Sequence, residues 1–391
     1  MSVKINLLEV FDNVKFLLKF LGCWTFPEEN ALYKIHKYFI IITCFLYATT
    51  CNIYGLKHAF IDPNKAYETL PIAVGTTEGV LKSYLFRRNF AKVTESWNQI
   101  QQQEFQPRNE EQKTLLKNYI AMTKFLFKIY VVGVYICCVS AIVISSWMRH
   151  NELPTDHWIP FDYHRPFLYQ YIYVHLTVGL YLCSFLNCAL DSCFYLSLMH
   201  ITAQCDMLAN TLRNIHDLEK LNAAHRVTHC KNKNQVMNEI LTECMEHYSL
   251  IKKYTNLVTD CFSGILTFQF IPSVGMICIC MYKISTLDIS SSLFFQFIFV
   301  EAGSITQIFF FCFFGNLVTV TSEKLFYSTF ESQWYNSSLK FKKNLITLMM
   351  TFQEPITFFG WNIFAINYET FKSIIRVSWS ICVALKSTQD I

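Results

Sequence analysis

The sequence predicts an all-α membrane protein. Seven transmembrane helices are expected, with a cytosolic N-terminus, an extracellular C-terminus and helices extended into a cytosolic anchor domain. Three observations carry that prediction. Of 391 residues, 52% are hydrophobic and 16% charged, where a soluble domain carries about 25% charged residues. Apolar runs near the length a bilayer demands recur along the chain. Lys and Arg gather in alternate connections between those runs.

The first segment, residues 1–37, threads Glu9, Asp12, Lys15 and Lys19 through Leu and Phe at helical spacing. It reads as an amphipathic helix at the membrane interface, not a cleavable signal. Residues 38–195 hold four spans. Tyr38–Leu56 has 19 residues and no charge, Ile129–Met148 supplies 20 and Pro166–Leu190 supplies 25. Thr69–Phe86, between the first and second of these, is weaker because Glu78 and Lys82 interrupt it. Apolar periodicity then continues through Leu196, Met199, Ala203, Met207 and Leu208, and resumes from Val236 through Ile240, Met245, Leu250 and Leu257. Residues 196–257 thus predict two anchor helices around a polar turn at His216–Asn234. Residues 258–322 contain two spans, Cys261–Tyr282 and Ile289–Ser322 with Glu301 as its one interruption. An anchor helix is expected in 323–354 and the last span in 355–386, within a Pro355–Leu385 run carrying Glu369, Lys372 and Arg376.

Orientation follows from the basic residues. The N-terminal segment and the stretches Lys82–Lys128, Arg213–Lys253 and Lys324–Lys343 together hold 25 of the 33 Lys and Arg residues. The alternate connections hold five, Lys57, Lys65, Arg149, Arg165 and Lys283. That bias sets the N-terminus in the cytosol.

Composition excludes several functions. Thirty-six Phe against 11 Gly and 9 Pro favour long apolar helices over a turn-rich β fold. A net charge of +4 from scattered basic residues gives no footprint for nucleic acid. Phosphate loops, dinucleotide fingerprints, HExxH and Gly-x-Ser-x-Gly motifs are missing from the sequence, so no enzyme activity, cofactor or metal is expected. His225-Arg-Val-Thr-His229-Cys230 has metal-like spacing but lacks a second ligand cluster, which favours a solvated turn. The 16 Cys residues lie largely within apolar runs, as Cys44, Cys137, Cys188 and Cys312 do, and behave there as small hydrophobes. Cys205, Cys230 and Cys244 fall in stretches expected to be cytosolic and reduced. The sequon Asn336-Ser337-Ser338 lies on the same side and should stay bare.

Ionisable groups within spans mark candidate sites. Glu301 suits either an interhelical hydrogen bond or a ligand contact; Asp191, near the cytosolic end of its span, is within reach of water or a Lys and reads as structural. Lys372 and Arg376 share one face of the last helix and either line a vestibule or pair with a neighbouring carboxylate. Aromatic and small polar residues crowd the outer halves of the spans, among them Tyr169, Tyr171, Tyr173, His175, Cys137, Ser140, Phe295 and Phe299. An apolar cavity with few polar anchors fits a small lipophilic ligand.

Three stretches resemble a family. Phe310–Asn316 matches the Phe-x-Phe-Cys-x-Phe-Gly-Asn-like end of the sixth helix of insect odorant receptors, and Trp334-Tyr335 matches a linker Trp about 22 residues later. Leu153-Pro154…Trp158-Ile159-Pro160-Phe161-Asp162 is similar to that family's second outer loop. The resemblance implies a seven-helix, ligand-gated, non-selective cation channel at the plasma membrane of a sensory neuron. It implies an odour-tuning subunit that joins the obligate co-receptor in a heterotetramer and takes a small volatile organic ligand.

Val383-Ala384-Leu385-Lys386 resembles the co-receptor's Val-Gln-Leu-Lys, but the second cytosolic loop lacks that subunit's large insertion. The run Val377–Leu385 departs from the Thr-Tyr…Gln-Phe pattern of gustatory receptors. By resemblance the pore gate is Ile381 with Ala384 and Leu385, Ala384 standing where the co-receptor has Gln. The ligand-binding residues carried over are Val74, Thr77, Cys137, Ser140, Ile144, Tyr173, Thr177, Phe295, Ile298 and Phe299.

The alternatives are a G-protein-coupled receptor, a gustatory-type channel and a transporter. The first is opposed by the inverted topology, by missing Asp-Arg-Tyr and Asn-Pro-x-x-Tyr motifs and by the expectation of no cytosolic tail after Lys386. A transporter would show repeat symmetry and broken mid-membrane helices, which this sequence lacks.

Overall fold

The computed structural model describes residues 5–26, 28–59, 61–148, 153, 155, 157–163, 165–218, 221, 232–361 and 363–389. Among these, the α-helices in chain order are α1 (Asp12–Phe20), α2 (Ala31–Ala59), α3 (Pro63–Arg88), α4 (Phe90–Ile100), α5 (Glu110–Met148), α6 (Pro166–Arg213), α7 (Lys233–Thr286), α8 (Ser292–Glu331), α9 (Leu339–Phe352) and α10 (Tyr368–Gln389). The His225–Cys230 motif lies outside the described residues.

Helix ends follow local chemistry. Pro166 opens α6, where its missing N–H would have had no helical partner. Asn232 and Gln235 form a capping box at the start of α7. Ser291 Oγ accepts from Phe294 N–H at 3.2 Å to cap α8, and Ser338 caps α9 in the same way.

Among the described residues, five helices, α2, α5, α6, α7 and α8, are long and apolar enough to cross a membrane. The runs that interrupted the hydropathy pattern are helices as well. At 1.5 Å per residue α3 and α10 are about 39 and 33 Å long, sufficient for a core of roughly 30 Å. By the same rise α6 and α7, of 48 and 54 residues, reach about 72 and 81 Å. Most of their excess length collects at one end of the bundle, the basic end, with α1, α4 and α9.

That end holds the main hydrophobic core. Val14 and Leu18 of α1, Val93 and Trp97 of α4, Leu208 of α6, Leu241 of α7 and Leu345 of α9 are all buried in it. The N-terminal segment packs one side of α1 into this core. Leu7, Phe11, Val14 and Leu18 face protein, while Phe16 and Phe20 stay 69% and 54% exposed on the other side of α1. The segment has two apolar faces, and the basic-end core captures one of them.

The last span begins later than expected. Before it, two short strands, β1 (Phe359–Gly360) and β2 (Phe364–Ala365), pair antiparallel. α10 starts only at Tyr368. The Asn367 side chain accepts from Thr370 N–H at 3.0 Å there. Gly315 explains part of the Phe-rich motif: a Cβ at that position would collide with the Ile366 carbonyl, so glycine lets the hairpin lie against α8.

Candidate ligand cavity and its polar floor

Five helices, α3, α5, α6, α7 and α8, leave a cavity of about 370 Å³ among them, in the span of the bundle away from the basic end. Its walls are mainly apolar, with Ile72, Val134, Leu180, Met276, Phe299 and Phe310 among them. The space exists because three wall positions are glycine. A Cβ at Gly75 or Gly133 would meet no atom within 4 Å, and one at Gly303 would reach only Cys137 Sγ at 3.9 Å. Glycine costs helix stability relative to alanine, so this placement works against local propensity.

The floor is polar and charged. Lys82 of α3 is fully buried, and its Nζ donates to Asp191 Oδ1 of α6 at 2.8 Å and to the Gln269 amide oxygen of α7. Glu78, one turn earlier on α3, places Oε1 3.3 Å from the same ammonium. Gln307 of α8 donates to Asp191 Oδ2 at 2.6 Å and to Gln269 Oε1 at 3.0 Å. Tyr130 of α5 donates its hydroxyl to Asp191 Oδ2 at 3.1 Å. The ring of Phe311 lies 5.8 Å from Lys82 Nζ and covers the charge with its π face. One network therefore ties together all five helices that wall the cavity. Glu78, Tyr130 and Gln307 belong to both the network and the wall.

Of the two possibilities left open for Asp191, water or a Lys, the structure has a Lys, Lys82. Lys82, one of the basic residues of the Lys82–Lys128 stretch, turns its side chain into the bundle, where two carboxylates compensate it. Glu301 does not line the cavity. It is buried, and neither carboxylate oxygen has a hydrogen-bond partner among the described residues. On α10, Lys372 pairs with Glu369 at 2.7 Å, on the exposed side of the helix.

Of the ligand residues expected from sequence, Cys137 and Phe299 line the cavity. The other described ones do not line it. Thr77 turns toward α2, accepting from Asn52 Nδ2 at 2.7 Å, and its neighbour Thr76 lines the cavity instead. Val74 sits beside that wall, between Ala73 and Gly75, without lining it. Ser140 donates to the Cys137 carbonyl at 2.8 Å, and Tyr173 packs its ring 6.0 Å from Tyr169 nearer the start of α6. Thr177 is half-buried on α6, and Phe295 and Ile298 are exposed on α8. The Ile144 side chain lies outside the described set. Glycines at 75, 133 and 303 were the signal to follow, since each is a small residue inside an otherwise bulky span.

The proposed gate residues stand on the open side of α10. Ile374, Ser378 and Cys382 form its buried stripe, with Ser378 Oγ donating to the Val274 carbonyl of α7 at 3.3 Å. Ile381, Ala384 and Leu385 are exposed, as are Val377, Trp379 and Val383. The Phe-rich motif of α8 supports the start of this helix, with Phe309 5.6 Å from the Phe371 ring and stacked 6.4 Å from Tyr368.

Comparison with known proteins agrees with this architecture. The sequence model described as 7tm Odorant receptor matches residues 62–379. The chain belongs to that family. Odorant receptor Or1 of Anopheles gambiae is 21% identical, covering 95% of this chain and 94% of its own. Odorant receptor 22b of Drosophila melanogaster is 20% identical over 93% and 89%. The olfactory receptor OR5 of Machilis hrabei superposes with a TM-score of 0.84 at 13% identity, covering 96% of this receptor and 97% of that one. Its complex with eugenol gives 0.82 at 14% identity, with 98% of each chain covered. The receptor therefore has the insect olfactory-receptor fold and a sensory role in olfaction.

Proposed function

We propose that the receptor is the odour-tuning subunit of a ligand-gated, non-selective cation channel in the plasma membrane. It binds a small, mostly apolar volatile in the cavity among α3, α5, α6, α7 and α8. It assembles with the odorant receptor co-receptor into a heterotetramer whose last helices line one pore. The cavity carries this reading: it is large enough for a small volatile, largely apolar, and kept open by glycines whose substitution by larger residues would fill it. The exposed apolar side of α10 supports the assembly, because Val377 and Ile381 are left without cover among the described residues. A ring of apolar side chains including Ile381 and Leu385 would exclude ions by holding no water.

Co-expression with the co-receptor in oocytes, with a volatile panel and a co-receptor agonist, tests the proposal. Odour-evoked inward current is expected from the pair and little from this chain alone. Robust current from the chain alone would remove the heteromer from the reading. Gly133→Leu should raise the odorant concentration for half-maximal current at least tenfold, by occupying space a ligand needs, while the co-receptor agonist still opens the channel. Ile381→Ser should wet the constriction and raise current at rest. Trp379→Ser, about 160° away around the helix, should not. Silent Ile381→Ser channels beside leaking Trp379→Ser channels would place the pore on another face of α10.

A further inference from the structure

Around the cavity floor, hydrogen-bond donors and acceptors are unequally satisfied. The donors of five wall residues are already used within the protein. Tyr130 gives its hydroxyl proton to Asp191, Gln307 gives its amide protons to Asp191 and Gln269, and Thr76 and Ser304 donate to backbone carbonyls of their own helices. Asn187 of α6 donates Nδ2 to the carbonyls of Gly75 at 3.1 Å and Cys183 at 3.4 Å. Carbonyls can only accept, so these two contacts fix which end of the Asn187 amide is nitrogen.

Two acceptors remain. Asn187 Oδ1 and Glu78 Oε1 are both shielded from solvent; Asn187 Oδ1 receives no hydrogen bond among the described residues, and Glu78 Oε1 has only the long contact to Lys82. Both residues line the cavity. Glu78 Oε1 stands 3.3 Å from Lys82, near enough for an ion pair, but that ammonium is already shared with Asp191 and Gln269. One cation there answers two carboxylates. Leaving a buried acceptor without a donor is unfavourable, so the floor lacks a group that a ligand can bring.

We propose that the receptor selects ligands carrying a hydrogen-bond donor, an alcohol or phenol hydroxyl on an apolar body, whose proton meets Asn187 Oδ1 or Glu78 Oε1. This rests on the cavity being the odorant site and adds the chemical class of its ligand. Esters, ethers and ketones of the same skeleton fill the apolar walls equally well but offer only acceptors. They leave both oxygens unpaired and set a third against them.

The test uses the full chain co-expressed and purified with the co-receptor, and matched pairs of probes: phenols and alcohols against their O-methyl ethers. Two readouts are taken, evoked current and ligand-induced thermal stabilisation of the complex. The hydroxyl compounds should act at concentrations at least about tenfold lower than their ethers in both readouts, the size expected for one hydrogen bond to a buried acceptor. Asn187→Leu should shrink that ratio toward one, while Asn187→Asp, which keeps an acceptor at this place, should preserve it. Equal potency of alcohols and ethers on the unaltered receptor, or a ratio unmoved by Asn187→Leu, would overturn the inference and leave the channel reading intact. Selective stabilisation by the hydroxyl compounds without any current would support the inference and overturn the channel reading instead.

Discussion

One helix shows two kinds of packing. From Pro166 to Asn187, α6 alternates buried positions with exposed ones, and Phe167, Tyr171, Val174 and Val178 are 89, 71, 59 and 40% exposed. From Cys188 onward nearly every side chain to Leu212 is buried, Ala189, Leu190, Cys193, Leu198, Cys205 and Leu208 at 1% or less. α8 shows a milder form of the contrast, while α7 stays buried through its span as well. Lipid accepts apolar side chains as readily as a protein interior does, so the spans need not close tightly on one another. Beyond the bilayer the same residues would meet water, and the helices pack into an ordinary hydrophobic core. The cavity lies in the loosely packed half, and the Lys82–Asp191 network lies where the two regimes meet.

The comparison breaks most severely at that boundary. Lys82→Met removes the one cation in the network and leaves Asp191 and Glu78 buried without it. A loss of about 3–5 kcal/mol is expected, seen as little folded receptor by size-exclusion after solubilisation. Adding Asp191→Asn should recover a measurable part. If Lys82→Met alone is as abundant as the parent, the network is not what joins the two halves.

Equivalent truncations within the two halves should differ as well. Leu241→Ala, at a fully buried site of the basic-end core, should destabilise by about 2–5 kcal/mol. Val178→Ala, 40% exposed on the span, should cost about 0.5 kcal/mol or less. Thermal melts of the purified variants check both, and equal costs would erase the distinction.

A smaller effect sharpens it through pH. His200 and His247 sit in the basic-end core, where burial lowers each to about 3 from an ordinary 6.5, with Arg108 also lowering His247. His247 lies 2.9 Å from Gln204 Oε1, and its Nε2–H donates to that oxygen. Both rings are therefore folded in as neutral groups. The unfolded chain binds the protons that the folded one refuses, so this stability is complete above pH 6.5 and is lost as pH falls toward 3. About 1.4 kcal/mol per histidine should disappear between pH 7.5 and 5.5. Melting curves at the two pH values should show it, and the slope should flatten in a His200→Phe/His247→Gln variant.

Much of this was written along the chain. Spans are legible because the transfer of apolar residues into lipid sums over neighbours in sequence, which is why runs such as Tyr38–Leu56 needed no tertiary information. The Phe-rich stretch ending at Gly315 marked the family. Its role in seating the hairpin against α8 emerged only from the approach of Ile366. The wall of the cavity was less legible. One residue along a helix is about 100° around it, and that rotation separates Thr77, turned to α2, from Thr76, which lines the cavity.

The sequence by itself determined that this is a multi-span α-helical membrane protein of the odorant-receptor kind, because hydropathy, charge bias and short motifs are local properties. Tertiary structure alone decided that Lys82 meets Asp191 across 109 residues of chain. It also decided that Glu78 and Asn187 share one wall with an acceptor each to spare, and that three glycines on three helices open one space. Those facts depend on how each helix is rotated against its neighbours. That rotation is set by packing and charge compensation summed over the whole bundle, which no single stretch of sequence contains.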